Sequence, residues 1–104
     1  MEKVFERDQC VNHAEKHGWY VRKVRAVGTT GFPDRLFIKE GVVIFIEFKD
    51  PGSGNTASKR QELEMRKLRR AGVEAYVCDN WNRFLEILNH GIPTETLGPG
   101  PVPG

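Results

Sequence analysis

The chain has 104 residues, of which 38% are hydrophobic, and its formal net charge is +2. This size suits one domain with one modest core and excludes a second domain. This weak positive charge is compatible with nucleic-acid binding but does not indicate it. No apolar run approaches the roughly 20 residues that a membrane-spanning helix needs.

The N-terminal charges and the cysteines indicate the compartment. Charged residues are frequent between positions 2 and 8, so we expect no secretory signal. Cys10 and Cys78 lie far apart and outside any Cys-x-x-Cys pair, which favours a reduced, intracellular chain with structural thiols and no zinc. His13 and His17 have the spacing of metal ligands on a helix, but the lack of a third ligand argues against a functional metal there.

Residues 2–17 contain neither Gly nor Pro, and their apolar residues recur at helical spacing, which predicts a helix that ends at Gly18. Glu2 and Glu6 share one side of this helix, and Glu6 lies close to its apolar edge. Solvated surface acids are the alternative to a functional role for them.

Trp19 to Val27 is rich in aromatic and β-branched residues and predicts a strand, on which Lys23 and Arg25 share one face. The following segment, residues 28–31, carries glycines and hydroxyl groups. It is either a loop that lets a phosphate backbone approach or an ordinary turn.

The central feature is a predicted β-hairpin with strands at residues 35–39 and 42–48 and a turn at Glu40-Gly41. If Lys39 pairs with Val42, the register sets Asp34 opposite Glu47, and facing carboxylates repel unless a cation lies between them. Lys49 is two residues past Glu47 and points to the same face. A simple ion pair between Glu47 and Lys49 is the alternative, but it leaves Asp34 unexplained.

Ser58 and Gln61 fit a capping box, which predicts a helix from near Ser58 to Ala71. Gln61 lies on the inward side of this helix, so a role in a site competes with its role in the cap. The outer side is strongly basic and suits either a phosphate backbone or solvent. Its basic residues are Lys59, Arg60, Arg66, Lys67, Arg69 and Arg70.

The remaining elements are a buried-type strand at residues 73–78 and a helix at 81–89 that Asp79-Asn80 can cap. From Gly91 onward the chain is rich in proline and glycine, which predicts a loosely ordered tail. We therefore expect a single domain over residues 1–90 and a tail over residues 91–104.

The order of elements, with Asp34, Glu47 and Lys49 at the end of the hairpin, resembles the PD-(D/E)xK nuclease superfamily. More narrowly, the chain resembles the virus-type replication-repair nuclease (VRR-NUC) domain over about residues 4 to 80. The matching positions are Gly31-Phe32-Pro33-Asp34-Arg35, Ile46-Glu47-Phe48-Lys49, Ser58, Gln61, Leu68, Gly72 and Lys23.

This resemblance implies an α/β, restriction-endonuclease-like fold with an αβββαβ core, in which helices flank a central mixed sheet. It also implies metal-dependent hydrolysis of phosphodiester bonds, with Mg²⁺ or Mn²⁺ held by Asp34, Glu47 and the Phe48 carbonyl. Lys49 is then expected near the attacking water and the scissile phosphate.

The family's other catalytic positions match Gln61 and an acid of the first helix. Glu6 fits this acid best, while Glu2 and Glu15 remain open. The residues expected to contact nucleic acid are Lys23, Arg25, Arg35, Ser58, Lys59 and Arg60.

Short members of the family are similar to phage-encoded homodimers that cut branched DNA such as four-way junctions. The resemblance therefore implies a homodimer that acts on branched DNA, in the cytoplasm of a bacterial or phage-infected cell and without a membrane. The alternatives are a monomeric flap-cutting, nicking or restriction-type nuclease and a non-catalytic DNA-binding module of the same fold. A small structural protein whose charges form ion pairs is a third alternative.

Overall fold

The computed structural model describes residues 4–51 and 57–89, and the predicted C-terminal tail lies outside these ranges. The first helix begins as a π-helix, Val4–Val11, and continues as α1, Asn12–Lys16. The sequence predicted a helix over residues 2–17 but not its π-helical half, in which hydrogen bonds span five residues instead of four. The residues before Val4 lie outside the described part of the chain.

The π-helical geometry decides which side chains of the first helix face the protein. Phe5, Glu6, Cys10 and Val11 are buried, and they form two pairs that are five residues apart. This spacing matches the wider π-helical turn. As a consequence, Glu6 lies on the buried side of the helix rather than at the edge that α-helical spacing predicts.

The sheet is mixed and has four strands in the order β1-β2-β3-β4, as the predicted fold class requires. β1 pairs antiparallel with β2, β2 pairs antiparallel with β3, and β3 pairs parallel with β4. The strands are β1 (Tyr20–Lys23), β2 (Arg35–Lys39), β3 (Val42–Phe48) and β4 (Glu74–Cys78).

β1 is shorter than the strand predicted over Trp19 to Val27. The last residue pair between β1 and β2 is Lys23 with Arg35. Beyond this pair, Val24 N donates one more backbone hydrogen bond to Asp34 O at 2.8 Å. The residue before Asp34 is Pro33, which has no N–H to continue the ladder. The chain therefore leaves the sheet at this point and forms the loop that precedes Asp34.

The hairpin has the predicted turn and register. Lys39 pairs with Val42, and the ladder continues to Arg35 opposite Ile46. Glu40 and Gly41 both have positive φ, at 51° and 84°, which is the backbone of a type I′ turn.

The other two helices begin at side-chain caps. α2, Lys59–Arg70, follows Ser58 and carries the predicted capping box with Gln61, and α3, Trp81–Leu88, follows Asn80, whose side chain accepts a hydrogen bond from Arg83 N. Within the described ranges, none of the helices is long or apolar enough to cross a membrane.

The main core lies on one face of the sheet, beneath the first helix and α3. The rings of Phe5, Phe37 and Phe84 lie within 6.3 Å of the Phe48 ring, centroid to centroid. Opposed residues share a sheet face, so Arg35, which pairs with Ile46, lies on this core face. The opposite face carries Ala75 and is covered by α2, whose Met65 is buried.

Both cysteines are buried free thiols, which agrees with their expected structural role. Burial raises the pKa of Cys78 to about 11. Burial, together with the neighbouring Cys78 and Glu6, also raises the pKa of Cys10 far above its ordinary value. Both side chains are therefore uncharged at neutral pH and belong to the apolar core.

The loop before Asp34 packs closely against the first turn of α2. Gly31 has φ +83°, and a Cβ placed on it would lie 2.7 Å from the backbone carbonyl carbon and oxygen of Arg60. Arg60 Nε also donates a hydrogen bond to Thr30 Oγ1 at 3.1 Å. The sequence is compatible with either a phosphate-binding loop or an ordinary turn here, and it does not predict this contact with the helix.

We expect Gly31→Ala to destabilise the protein by roughly 2–4 kcal/mol, because the new methyl group meets fixed backbone and the left-handed φ adds strain. Gly28→Ala is the matched control, since Gly28 has φ +84° but no atom within 4 Å of an added Cβ. The control should lose only about 1–2 kcal/mol in urea unfolding. Equal losses in the two variants would contradict tight docking of the loop.

Candidate active site

The two acids of the hairpin both lie at its open end. Asp34 directly precedes β2, and one further step of the observed register sets it opposite Glu47. Glu47 lies in β3, pairs with Val77 of β4, and is only 6% exposed. A buried acid beside a second acid is the arrangement that the sequence predicted for this end of the hairpin.

Lys49 completes the group of charges that the sequence predicted. Its Nζ lies 3.9 Å from Glu47 Oε2, and its side chain is 18% exposed. Its backbone N–H donates to Cys78 O at 2.9 Å, so pairing with the β4 chain continues past the last residue of β3. Phe48 lies between the two charged residues and is fully buried on the core face, which directs Glu47 and Lys49 to the other face.

Glu6 approaches the same end of the sheet from the first helix. Its Oε2 accepts a hydrogen bond from Arg35 Nε, and the two side chains are only 10% and 15% exposed. Glu15 is exposed on α1, and Glu2 lies outside the described residues. Of the first-helix acids that the structure describes, Glu6 is the one whose charge acts on Asp34.

The charges around Asp34 oppose one another. Burial and the negative charge of Glu6 raise the pKa of Asp34, while Lys23, Lys49 and Arg35 act to lower it. Burial and Glu6 outweigh the three cations, so the pKa of Asp34 lies above its ordinary value. The folded protein therefore holds a carboxylate here at a cost in stability.

The chemistry of these donors suits a hard divalent cation. Carboxylate and carbonyl oxygens are the preferred ligands of Mg²⁺ and Mn²⁺, and Asp34, Glu47 and the Phe48 carbonyl supply such oxygens. Within residues 4–51 and 57–89, no group of three or more His, Cys, Asp or Glu residues is arranged to hold a metal ion. Asp34, Glu47 and the Phe48 carbonyl stay the expected ligands of such a cation.

Ser58 and Gln61 both serve the N-terminus of α2. Gln61 N donates to Ser58 Oγ at 3.2 Å, and Ser58 N donates to Gln61 Oε1 at 2.9 Å. Gln61 therefore makes the helix-capping hydrogen bonds that the sequence predicted as the alternative to a catalytic role. A catalytic contact of Gln61 and a nucleic-acid contact of Ser58 remain predictions.

A cavity of about 490 Å³, here called the groove, lies next to Asp34. It is lined by residues predicted to contact nucleic acid and by the loop at residues 28–31. Lys23 and Arg25 line it from the end of β1, and Thr29 and Gly31 line it from the loop. Lys23 and Arg25 are exposed, so their charges are accessible beside the acid. This groove has the chemistry to receive a phosphate group close to Asp34.

The other basic residues predicted to contact nucleic acid differ in their surroundings. Lys59 and Arg60 are exposed at the start of α2, and Arg60 is hydrogen-bonded to Thr30. The Arg35 guanidinium is instead engaged with Glu6 on the core face. This ion pair was not predicted from the sequence. The five-residue spacing of Phe5 with Cys10 and of Glu6 with Val11 could have indicated that Glu6 is buried, but not which residue it binds.

Comparison with known proteins shows a shared fold. A solved structure described as a VRR_NUC domain superposes with a TM-score of 0.75 and 23% identity, over 88% of this chain and 100% of the other. A second, described as a VRR_NUC domain protein, superposes with a TM-score of 0.71 and 16% identity, over 88% of each chain. No family model and no curated protein matches the sequence.

We expect Asp34→Asn to raise the free energy of unfolding of the metal-free protein at pH 7, by at most about 1 kcal/mol because solvent screens this site. The raised pKa means that the wild-type carboxylate destabilises the fold above its titration range. The gain in stability should therefore shrink as the pH falls towards 3.8, the ordinary pKa of an aspartate side chain.

Urea unfolding at several pH values measures this effect. Asp8→Asn is the control, because Asp8 is an exposed acid of the first helix. A loss of stability in Asp34→Asn at pH 7 would show that the electrostatic balance around Asp34 has the opposite sign.

Proposed function

We propose that this chain, which has the fold of VRR-NUC domains, is a metal-dependent endonuclease that hydrolyses phosphodiester bonds in branched DNA as a homodimer. The observation that carries the proposal is the hairpin register. It brings Asp34 towards Glu47 at the end of the sheet, with the Lys49 ammonium 3.9 Å from Glu47. A structural protein would gain nothing from keeping these acids together.

Hydrolysis of a phosphodiester must overcome the negative charge of the substrate, which repels hydroxide. Asp34, Glu47 and the Phe48 carbonyl would hold Mg²⁺ or Mn²⁺, and such a cation supplies Lewis acidity against the phosphate charge. Both acids lie on or next to paired strands, so the backbone ladder limits their movement. Rigid placement of this kind lowers the cost of organising a reactive site.

Lys49 supports the reaction through its charge. Its ammonium group can offset the negative charge that develops on the phosphate oxygens in the transition state. It is partly buried, where an electrostatic interaction is stronger than in water. Glu47 lies close enough to orient the ammonium towards the site.

DNA binding is assigned to the groove beside Asp34 and to the start of α2. Lys23 and Arg25 line the groove, and Lys59 and Arg60 extend the positive surface from α2. Positive side chains bind the phosphate backbone regardless of sequence. The arrangement therefore favours recognition of DNA structure over recognition of base sequence.

The preference for branched DNA follows from the size of the domain and the symmetry of a junction. A four-way junction offers two scissile strands related by an approximate two-fold axis, and a C₂ dimer would supply one site for each. The radius of gyration of the described part of one chain is 12.7 Å, which is small for spanning a branch alone. Leu63 and Tyr20 are 44% and 50% exposed and are candidates for the contact between copies.

A cleavage panel tests the proposal with single-stranded, duplex, flap and four-way-junction DNA in the presence of Mg²⁺ or Mn²⁺. We expect the junction to be cut and the metal-free protein to be inactive. Lys49→Ala and Asp34→Asn should each lower the cleavage rate by about 10²-fold or more. Lys16→Ala, at an exposed position of α1, should cut like wild type.

Other outcomes would point to the alternatives. Faster cutting of a flap by a chain with the mass of a monomer would favour a single-site nuclease. DNA binding without cleavage in either metal would favour a non-catalytic module. Wild-type rates in Lys49→Ala would contradict the assigned site.

A further inference from the structure

The guanidinium of Arg35 is engaged inside the protein. Its Nε donates to Glu6 Oε2, and its side chain is 15% exposed. Arg35 pairs with Ile46 across the hairpin, so it lies on the core face of β2, beneath the π-helix that carries Glu6. A DNA phosphate would have to compete with Glu6 for this guanidinium.

Arg35 also lies next to the negative end of the hairpin. It directly follows Asp34 in the chain, and its positive charge acts on the Asp34 carboxyl. Lys49 balances Glu47 at 3.9 Å, and Lys23 lines the groove beside Asp34. Of these three cations, Arg35 is the one bound to a side chain of the first helix.

We propose that Arg35 is a built-in countercharge that holds Glu6 and competes electrostatically with a divalent cation for the acids at the hairpin end. This inference rests on the proposed function, since it concerns the cation that the hairpin acids would bind. It makes Arg35 a positioning residue that sets the metal concentration at which the site fills, rather than a contact to DNA.

Electrostatics gives the direction of the effect. A divalent cation near Asp34 is repelled by the Arg35 charge, and the repulsion is strong where water is partly excluded. Removing the charge while keeping the side chain polar should therefore tighten metal binding. It should also weaken the metal-free fold, because Glu6 would remain buried without its cation.

Arg35→Gln tests the inference in the full chain, with Mg²⁺ or Mn²⁺ as the only ligand and without DNA. Its metal-free melting temperature should fall by roughly 5–15 °C. The cation concentration at the midpoint of the thermal shift should fall by about three- to tenfold. Arg7→Gln is the matched control, because Arg7 makes an exposed ion pair with Asp8 in the same π-helix, and its midpoint should not change.

Two further variants separate charge from structure. Arg35→Lys keeps the positive charge and should return the midpoint to the wild-type value. Glu6→Gln combined with Arg35→Gln removes both charges, so its midpoint should lie near that of wild type. If Arg35→Gln alone does not fold, the double variant is compared with Glu6→Gln instead. Adding Arg35→Gln to Glu6→Gln should lower the midpoint by about three- to tenfold, and equal midpoints in these two variants would overturn the role of Arg35.

The outcomes distinguish failure of this inference from failure of the proposed function. A wild-type chain with neither a cation-dependent thermal shift nor cleavage would overturn both. A wild-type chain that responds to the cation, with an unchanged or higher midpoint in Arg35→Gln, would overturn only the role of Arg35. A weaker affinity for DNA with an unchanged metal midpoint would make Arg35 a phosphate contact and would also overturn it.

Discussion

The negative charge gathered around the open end of the hairpin is the constraint on which the arrangement of the candidate site depends. Asp34 and Glu47 are set together by the strand register, and Glu6 adds a third negative charge from the first helix. Such a group destabilises a fold unless cations balance it. The chain supplies one cation from each strand that builds the site, namely Lys23 in β1, Arg35 in β2 and Lys49 directly after β3.

The position of these charges depends on apolar packing nearby. A one-residue slip in register would exchange the two faces of β3 and move Glu47 into the core. Phe48 resists such a slip, because its ring is fully buried against Phe5 and Phe84. The type I′ turn at Glu40 and Gly41 fixes the same register from the other end of the hairpin. Core packing and turn geometry therefore direct the acids to the side away from the main core.

The sequence predicted the features that local rules determine. The hairpin register and the capping box at Ser58 follow from turn residues and short-range hydrogen bonds, and both are present. The π-helical start of the first helix, the early end of β1 and the Arg35–Glu6 pair were not predicted. The last two depend on contacts between separate segments of the chain, and Glu6 and Arg35 are 29 residues apart. A basic residue next to the expected metal ligand Asp34 also suggests a phosphate contact, and only the packing of the first helix shows that Arg35 binds Glu6.

The two faces of β2 explain why a substitution at position 35 would act on both the fold and the candidate site. Neighbouring residues of a strand point to opposite faces, so Asp34 and Arg35 serve different sides of the sheet. Arg35 belongs to the core face, where it binds Glu6, yet its charge still reaches Asp34 at the end of the strand. A substitution at position 35 therefore changes the packing of the first helix and the electrostatics of the site together. Rates of the proposed cleavage reaction would combine these two effects, whereas cation binding measured without DNA would report on the electrostatics directly.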